Sequence, residues 1–91
     1  MYARVITFTG NHVKEVVAFL NNVDEKDFEG AKGFYVLADP NNEKTMTVTL
    51  WETKETMEAS KPAAEKVANQ IAKDITGMPP QIEVYEVANQ S

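Results

Sequence analysis

Apolar and polar residues alternate along several short stretches of the chain, a pattern typical of strands with two distinct faces. The most regular stretch is Lys44–Trp51, in which every second residue is apolar. One side of it consists of Met46, Val48 and Leu50, and the other consists of Thr45, Thr47, Thr49 and Trp51. Further stretches rich in β-branched and aromatic residues predict strands at Tyr2–Thr9, Phe34–Asp39 and Gln81–Val87.

Two other regions carry apolar residues at the spacing of an amphipathic helix. The first region follows Gly10, where Asn11 is a candidate N-terminal cap and Asn21 and Asn22 form a weak terminator. Its apolar positions are Val13, Val16, Val17 and Leu20. This pattern predicts one short helix between the first two strands.

The second helical region follows Trp51. Thr53 is predicted to cap a helix that begins at Lys54, and a break is expected near Ser60 to Pro62 because proline has no backbone N–H donor. Beyond the break, one apolar stripe consists of Ala64, Val67, Ala68, Ile71 and Ile75. Gly77 and the two prolines after it are predicted to end this region.

The predicted order of elements is βαββαβ, which indicates a ferredoxin-like α+β domain. Such a domain has an antiparallel four-stranded sheet with the helices on one face. The 91 residues form a single domain, with no repeat or linker. The sequence DPNNEK predicts a hairpin turn, in which Asn41 and Asn42 are expected to tolerate left-handed backbone geometry. Gly33 is predicted to relieve crowding where the chain enters the second strand.

Several predicted strands are apolar on both faces. The second strand has Phe34, Val36 and Ala38 on one side and Tyr35 and Leu37 on the other. Because the helices cover one face of the sheet, the apolar residues on the other face require a partner, and large exposed apolar patches usually mark interaction surfaces. We therefore expect a homodimer packed sheet to sheet. The alternative is that some of these residues lie at strand edges.

Charge and motif position argue against binding of nucleic acid. Fourteen acidic and nine basic side chains give a net charge of −5, which repels phosphate backbones. The sequence Lys32-Gly33-Phe34 matches the start of the aromatic signature by which RNA-recognition domains stack bases. That signature belongs to the third strand and needs a second aromatic residue where this chain has Val36. We therefore expect no nucleic-acid partner.

The composition also restricts the chemistry of a site. The chain has no cysteine and one histidine, and it shows no spaced set of metal ligands, so we expect no metal and no cofactor. The acidic residues Asp24, Glu25, Asp27 and Glu29 lack the ligand spacing of a calcium loop, which favours a solvated charge run. No apolar run reaches the length of a membrane span, so a cytoplasmic, soluble protein is expected.

The order of elements and three segments of the chain resemble the dimeric α/β-barrel proteins, in particular the antibiotic biosynthesis monooxygenase-like (ABM) group. These segments are KGFYVLAD, TVTLWETKETMEAS and PPQIEVYEV, and the resemblance covers nearly the whole chain. It implies two subunits whose sheets face each other in a barrel, with a cavity in each subunit between the sheet and the helices.

The resemblance also implies a candidate activity. Active members include cofactor-free oxygenases of aromatic polyketides and quinols, and haem-degrading enzymes that use asparagine, tryptophan and histidine. This chain has Ser60, Lys61 and Pro62 in the region where active members often carry a histidine, and it has no second tryptophan. The resemblance therefore favours a small-molecule cavity protein, with oxidation of an aromatic or quinol-type substrate as its candidate reaction. The alternative is a non-catalytic dimeric domain that binds a small ligand or only assembles.

Five side chains are candidates for such a site. His12 is a candidate general base at the rim of a pocket, and Trp51 is a candidate wall for a flat substrate. Arg4 is a candidate partner of a carboxylate or phenolate, and Tyr35 and Tyr85 are candidate hydrogen-bond donors to a quinone-like ligand. Each residue also has a structural interpretation: an exposed helix start for His12, packing for Trp51, a surface ion pair for Arg4 and an interface for the two tyrosines.

Overall fold

The computed structural model describes residues 1–23 and 28–89. The strands are β1 (Tyr2–Thr9), β2 (Ala31–Asp39), β3 (Lys44–Trp51) and β4 (Gln81–Glu86), and the helices are α1 (Val13–Asn21), α2 (Lys54–Ala59) and α3 (Lys61–Ile71). The sheet is antiparallel with the order β2-β3-β1-β4. This arrangement confirms the ferredoxin-like α+β fold. Three of the four residues of the predicted acidic charge run, Asp24, Glu25 and Asp27, lie outside the described residues.

Two boundaries differ from their predicted positions. β2 begins at Ala31, three residues earlier than predicted, and its pairing with β3 is irregular between Ala31 and Gly33. A Cβ atom on Gly33 would lie 3.0 Å from Cε2 of Tyr35, so glycine relieves crowding at this irregular point. β4 ends at Glu86, one residue earlier than predicted.

Two local predictions were wrong. The left-handed residue of the β2–β3 hairpin is Glu43, with φ of 51°, and not Asn41 or Asn42. A short 3₁₀ turn over Pro40–Asn42 moves the reversal one residue later. The carbonyl of Glu43 accepts a bond of 2.8 Å from the backbone N–H of Gly10, which holds this conformation. At the start of α1 the cap position is occupied by His12, without a side-chain capping bond, and not by Asn11.

The corner between α2 and α3 follows its prediction. The Thr53 hydroxyl accepts a bond of 3.2 Å from the backbone N–H of Thr56 and caps α2. Ser60 separates the two helices, and Pro62 lies in the first turn of α3, where its missing N–H is harmless. Beyond α3 a π-helical turn ends at Gly77, whose φ of 69° reverses the chain toward β4.

The two sides of the sheet differ in an unexpected way. The helices cover one side of the sheet, which we call the helix side. The buried residues of β3 on the helix side are its three threonines and Trp51. The apolar residues of β3, Met46, Val48 and Leu50, are half-buried on the other side, here the open side. On the helix side, β1 and the helices form the core cluster of Ile6, Phe8, Val16, Leu20, Ala64, Ala68 and Ile71.

On β3 the open side is therefore the more apolar side, whereas β1 directs Ile6 and Phe8 toward the helices. On β2, Tyr35 pairs with Val48 and Leu37 pairs with Met46, and both β2 side chains remain at least half exposed. On the other edge of the sheet, Tyr85 pairs with Ala3 on the same side. Exposed apolar surface of this kind usually marks an interaction surface.

Candidate functional site

Arg4 is a buried cation on β1, and its side chain lies on the helix side of the sheet. Only 4% of its surface is exposed. Its Nη1 donates a bond of 2.8 Å to Ser60 Oγ, and its Nη2 donates a bond of 2.7 Å to the carbonyl oxygen of Met57. Arg4 thus ties β1 to the corner between α2 and α3. The guanidinium also lies near Trp51, with Cζ 5.8 Å from the ring centroid, which is within cation–π range.

No carboxylate among residues 1–23 and 28–89 forms an ion pair with Arg4. The ion pairs of this part of the chain are Lys32 with Glu52 and Lys61 with Glu65. Burial lowers the pKa of the Arg4 guanidinium, while the Glu65 carboxylate has a smaller, opposite effect on that pKa. Arg4 remains charged at neutral pH, because an arginine pKa starts far above that range. The two oxygen atoms that accept hydrogen bonds from Arg4, Ser60 Oγ and the carbonyl oxygen of Met57, are neutral.

Arg4 lines an open cleft of about 260 Å³ between the helical corner and β4, here the Arg4 cleft. β4 supplies Ile82 and Val84, which lie on the helix side but are 44% and 52% exposed, because the helices do not reach over this edge of the sheet. The helical corner supplies Lys54, Met57, Glu58, Lys61, Ala64 and Glu65. The cleft combines an apolar wall with a buried cation, which is the composition of a small-molecule site.

The interior between the sheet and the helices is closely packed. A gap of about 10 Å³ lies between Arg4 and the core, and Thr47 and Thr49 are among the residues that line it. This volume is about that of one water molecule. A ligand in contact with Arg4 must therefore lie in the Arg4 cleft, at the β4 edge.

A larger groove of about 470 Å³ lies at the start of β2, where Phe28 and Phe34 are among its lining residues. Among the described residues that line it, Lys32 is the single charged side chain. Residues 24–27, which directly precede Phe28 in the chain, lie outside the described part of the chain. We therefore place the candidate site at Arg4, where a buried charge meets a cleft.

The structure brings together two of the five candidate site residues, Arg4 and Trp51. Trp51 has no exposed surface, and its indole N–H donates a bond of 3.0 Å to Thr49 Oγ1. It supports Arg4 from below and does not line the Arg4 cleft. Its predicted role as a wall of a substrate pocket stays a prediction.

The other three candidates lie elsewhere. His12 precedes α1, beyond the opposite end of β1. The strand from Arg4 to Thr9 already spans about 17 Å. Tyr35 and Tyr85 are on the open side of the sheet. The Tyr85 hydroxyl donates a hydrogen bond to Glu83, which raises the pKa of this phenol. The roles of these three residues in a site stay predictions.

The sequence pattern did not reveal several residues of the cleft. Ser60 and the carbonyl of Met57 orient Arg4. In the sequence, Ser60 indicates only a break between two helices, and Met57 lies in the helix before that break. The residues of Gln81–Val87 predict a strand, but they give no sign that the face with Ile82 and Val84 is uncovered. A signal was present in Arg4 itself, because an arginine within an apolar strand requires buried acceptors.

A comparison with solved structures finds the same fold in proteins of low sequence identity. A monooxygenase of Streptomyces coelicolor, solved in complex with nanaomycin D, is 13% identical, with a TM-score of 0.77 over 99% of this chain and 89% of that chain. A protein described as an antibiotic biosynthesis monooxygenase is 7% identical, with a TM-score of 0.71 over 98% of this chain and 100% of that chain. The chain has the ABM-like fold.

The chain is also similar in fold to a dimeric ferredoxin-like protein from an uncultured marine organism. It is 12% identical, with a TM-score of 0.65 over 99% of this chain and 96% of that chain. No family model matches the sequence, and no curated protein matches it either. The likeness therefore lies in the ABM-like fold.

Within residues 1–23 and 28–89, no group of three or more histidine, aspartate or glutamate side chains is arranged to hold a metal ion. None of the helices in this part of the chain has both the length and the apolar character needed to cross a bilayer.

Proposed function

We propose that the protein binds a small aromatic molecule in the Arg4 cleft and oxidises a quinol-type ligand there without a cofactor. The observation that carries the proposal is the buried Arg4 guanidinium beside the exposed apolar wall of Ile82 and Val84. The fold is also that of the S. coelicolor monooxygenase, which supports an oxidation reaction. A cleft of about 260 Å³ is just below the size range of most ligand pockets, so it suits one or two aromatic rings.

The substrate would supply the electrons in this reaction. In a quinol of one or two rings, the two hydroxyl groups give up two protons and two electrons to O₂, which leaves as hydrogen peroxide, and the ring becomes a quinone. The quinolate anion that precedes reaction with O₂ carries its negative charge on a ring oxygen, and Arg4 would stabilise that oxygen. The protein would therefore contribute orientation and a fixed positive charge.

We further propose that the active protein is a homodimer packed through the open side of the sheet. Three large side chains there, Tyr35, Leu37 and Tyr85, are about half exposed in the single chain. The dimeric marine protein of the same fold supports this proposal. The dimer leaves the Arg4 cleft on the outer, helix side of each subunit.

A second candidate function is a non-catalytic dimer that binds a ligand or only assembles. It is favoured by one observation: His12, the single histidine, lies far from Arg4, so the Arg4 cleft has no imidazole base. The two candidates differ in turnover, and the binding and assembly versions differ in whether a ligand stabilises the protein.

Oxygen consumption distinguishes these candidates. Purified protein, freed of metal by chelation, is expected to consume O₂ above the spontaneous rate when it is mixed with quinols of one or two rings. Arg4→Met is expected to lower kcat/KM by about tenfold or more, since it removes hydrogen bonds from a charged donor. His12→Ala is the matched comparison and is expected to retain activity, because His12 is at the other end of β1.

The opposite result is equally informative. Loss of activity in His12→Ala with retention in Arg4→Met would move the site to the start of α1. If no substrate is consumed but ligands raise the melting temperature, the non-catalytic binding function is correct. If neither occurs, the protein is an assembly module.

A further inference from the structure

The charges around the Arg4 cleft determine which ligands it accepts. The charged residues that line it are Arg4, Lys54, Glu58, Lys61 and Glu65. Three cations and two anions leave one positive charge, although the whole chain carries a net charge of −5. The cleft is thus locally cationic on an anionic protein.

Arg4 accounts for that excess. Lys61 and Glu65 form an exposed pair, with 3.8 Å between Lys61 Nζ and Glu65 Oε1, and they largely neutralise each other. Lys54 and Glu58 are both exposed and separated by one helical turn, where opposite charges attract and are hydrated. Arg4 is the buried charge of the set, with 4% exposure and only neutral acceptors among the described residues.

A buried guanidinium is stabilised by an anionic partner, because neutral oxygen atoms compensate only part of its lost hydration. The guanidinium has five N–H donors, and Ser60 and Met57 accept from two of its nitrogen atoms. Donors therefore remain for one more acceptor. Ile82 and Val84 lie on the neighbouring strand, where they provide an apolar surface for the rest of a ligand.

We propose that the Arg4 cleft selects a monoanionic aromatic ligand, one carboxylate or phenolate on one or two rings, over neutral, cationic and dianionic molecules of the same shape. This inference rests on the proposed function, since it assigns the ligand class of the same cleft. Arg4 binds the anionic group, and Ile82 and Val84 contact the ring. At the rim, Glu58 and Glu65 offset Lys54 and Lys61, so a second anionic group on the ligand finds no unpaired cation there and a dianion is disfavoured.

Four probes of one shape test the selectivity by calorimetry: naphthoate, naphthylmethanol, naphthylmethylammonium and a naphthalene dicarboxylate. Naphthoate is expected to bind between about tenfold and a hundredfold more tightly than naphthylmethanol, the range given by a hydrogen bond to a charged group. The ammonium and the dicarboxylate are expected to bind more weakly than naphthoate. Equal binding of naphthoate and naphthylmethanol would overturn the inference and leave the cleft as a binding site. Failure of all four probes to bind would overturn the cleft itself.

Two variants locate the charge. Arg4→Met is expected to abolish the preference for naphthoate while the affinity for naphthylmethanol changes less than about threefold. Lys14→Met is the control, because it removes the same charge from the exposed surface of α1 and is expected to change neither affinity. An equal loss of naphthoate affinity in both variants would show an effect of net charge alone and contradict the assignment to Arg4.

Glu65→Gln provides a test that does not depend on folding of the Arg4 variant. It removes the carboxylate that acts on Arg4, so it is expected to tighten naphthoate binding by a few fold and to tighten dicarboxylate binding more. Unchanged affinity for both probes would contradict the proposed selection against dianions.

Discussion

Leu37→Asp is expected to convert the protein from a dimer into a monomer. Leu37 is half exposed on the open side of the sheet, next to Met46, where the proposed partner would cover it. A carboxylate buried there without a partner costs several kcal/mol, which is comparable to the stability of a small interface. Light scattering at micromolar concentration is expected to give twice the chain mass for the wild type and the single chain mass for this variant.

Ala38→Asp is the matched control for this substitution. Ala38 is the next residue of β2 and is also exposed, but its side chain lies on the helix side of the sheet. The control introduces the same charge on the same strand and is expected to remain dimeric. A wild-type protein that is monomeric, or a Leu37→Asp variant that keeps the dimer mass, would contradict packing through the open side.

Trp51→Ala is expected to lower the free energy of unfolding by about 3–5 kcal/mol. Trp51 has no exposed surface, and its indole bonds to Thr49 and supports the Arg4 guanidinium. Removal of the ring leaves a cavity under Arg4 and takes away the donor to Thr49. Urea denaturation at one fixed protein concentration measures the change, since a dimer unfolds in a concentration-dependent way.

Trp51→Phe separates the packing of the ring from the hydrogen bond of the indole N–H. Phenylalanine refills much of the cavity but cannot bond to Thr49, so about half of the stability loss is expected to return. A loss of less than about 1 kcal/mol for Trp51→Ala would show that Trp51 is not part of the core.

The order and type of the elements could be predicted because they depend on local patterns. The strict alternation of Lys44–Trp51 and the cap at Thr53 each require only a few neighbouring residues, and both are present in the structure. The left-handed position of the hairpin could not be placed to the residue. In the structure it is Glu43, whose carbonyl accepts a bond from the backbone N–H of Gly10, a residue far away in the sequence.

The sequence also did not reveal which face of β3 is buried. Hydrophobicity favours burial of Met46, Val48 and Leu50 under the helices, yet the structure buries the threonines there. Thr47 and Thr45 pair with the core residues Ile6 and Phe8 of the neighbouring strand. The apolar residues of β3 lie on the open side, where a partner would cover them. The alternation along β3 is the same whichever face is buried, so the packing of the helices determines which face that is.

The Arg4 cleft depends on contacts across more than fifty residues of sequence. Arg4 meets Met57 and Ser60, and β4 then closes the other wall with Ile82 and Val84. The sequence identified Arg4 and Trp51 as candidates, but pattern alone did not separate them from His12, Tyr35 and Tyr85, which lie elsewhere in the fold.

A crystal structure of the protein soaked with naphthoate tests the central claim, that Arg4 holds an anionic ligand in the cleft at the β4 edge. The account predicts a carboxylate oxygen within about 3 Å of a guanidinium nitrogen of Arg4, and the rings against Ile82 and Val84. Naphthoate bound on the open side of the sheet or at the start of α1, with the Arg4 cleft empty, would contradict it.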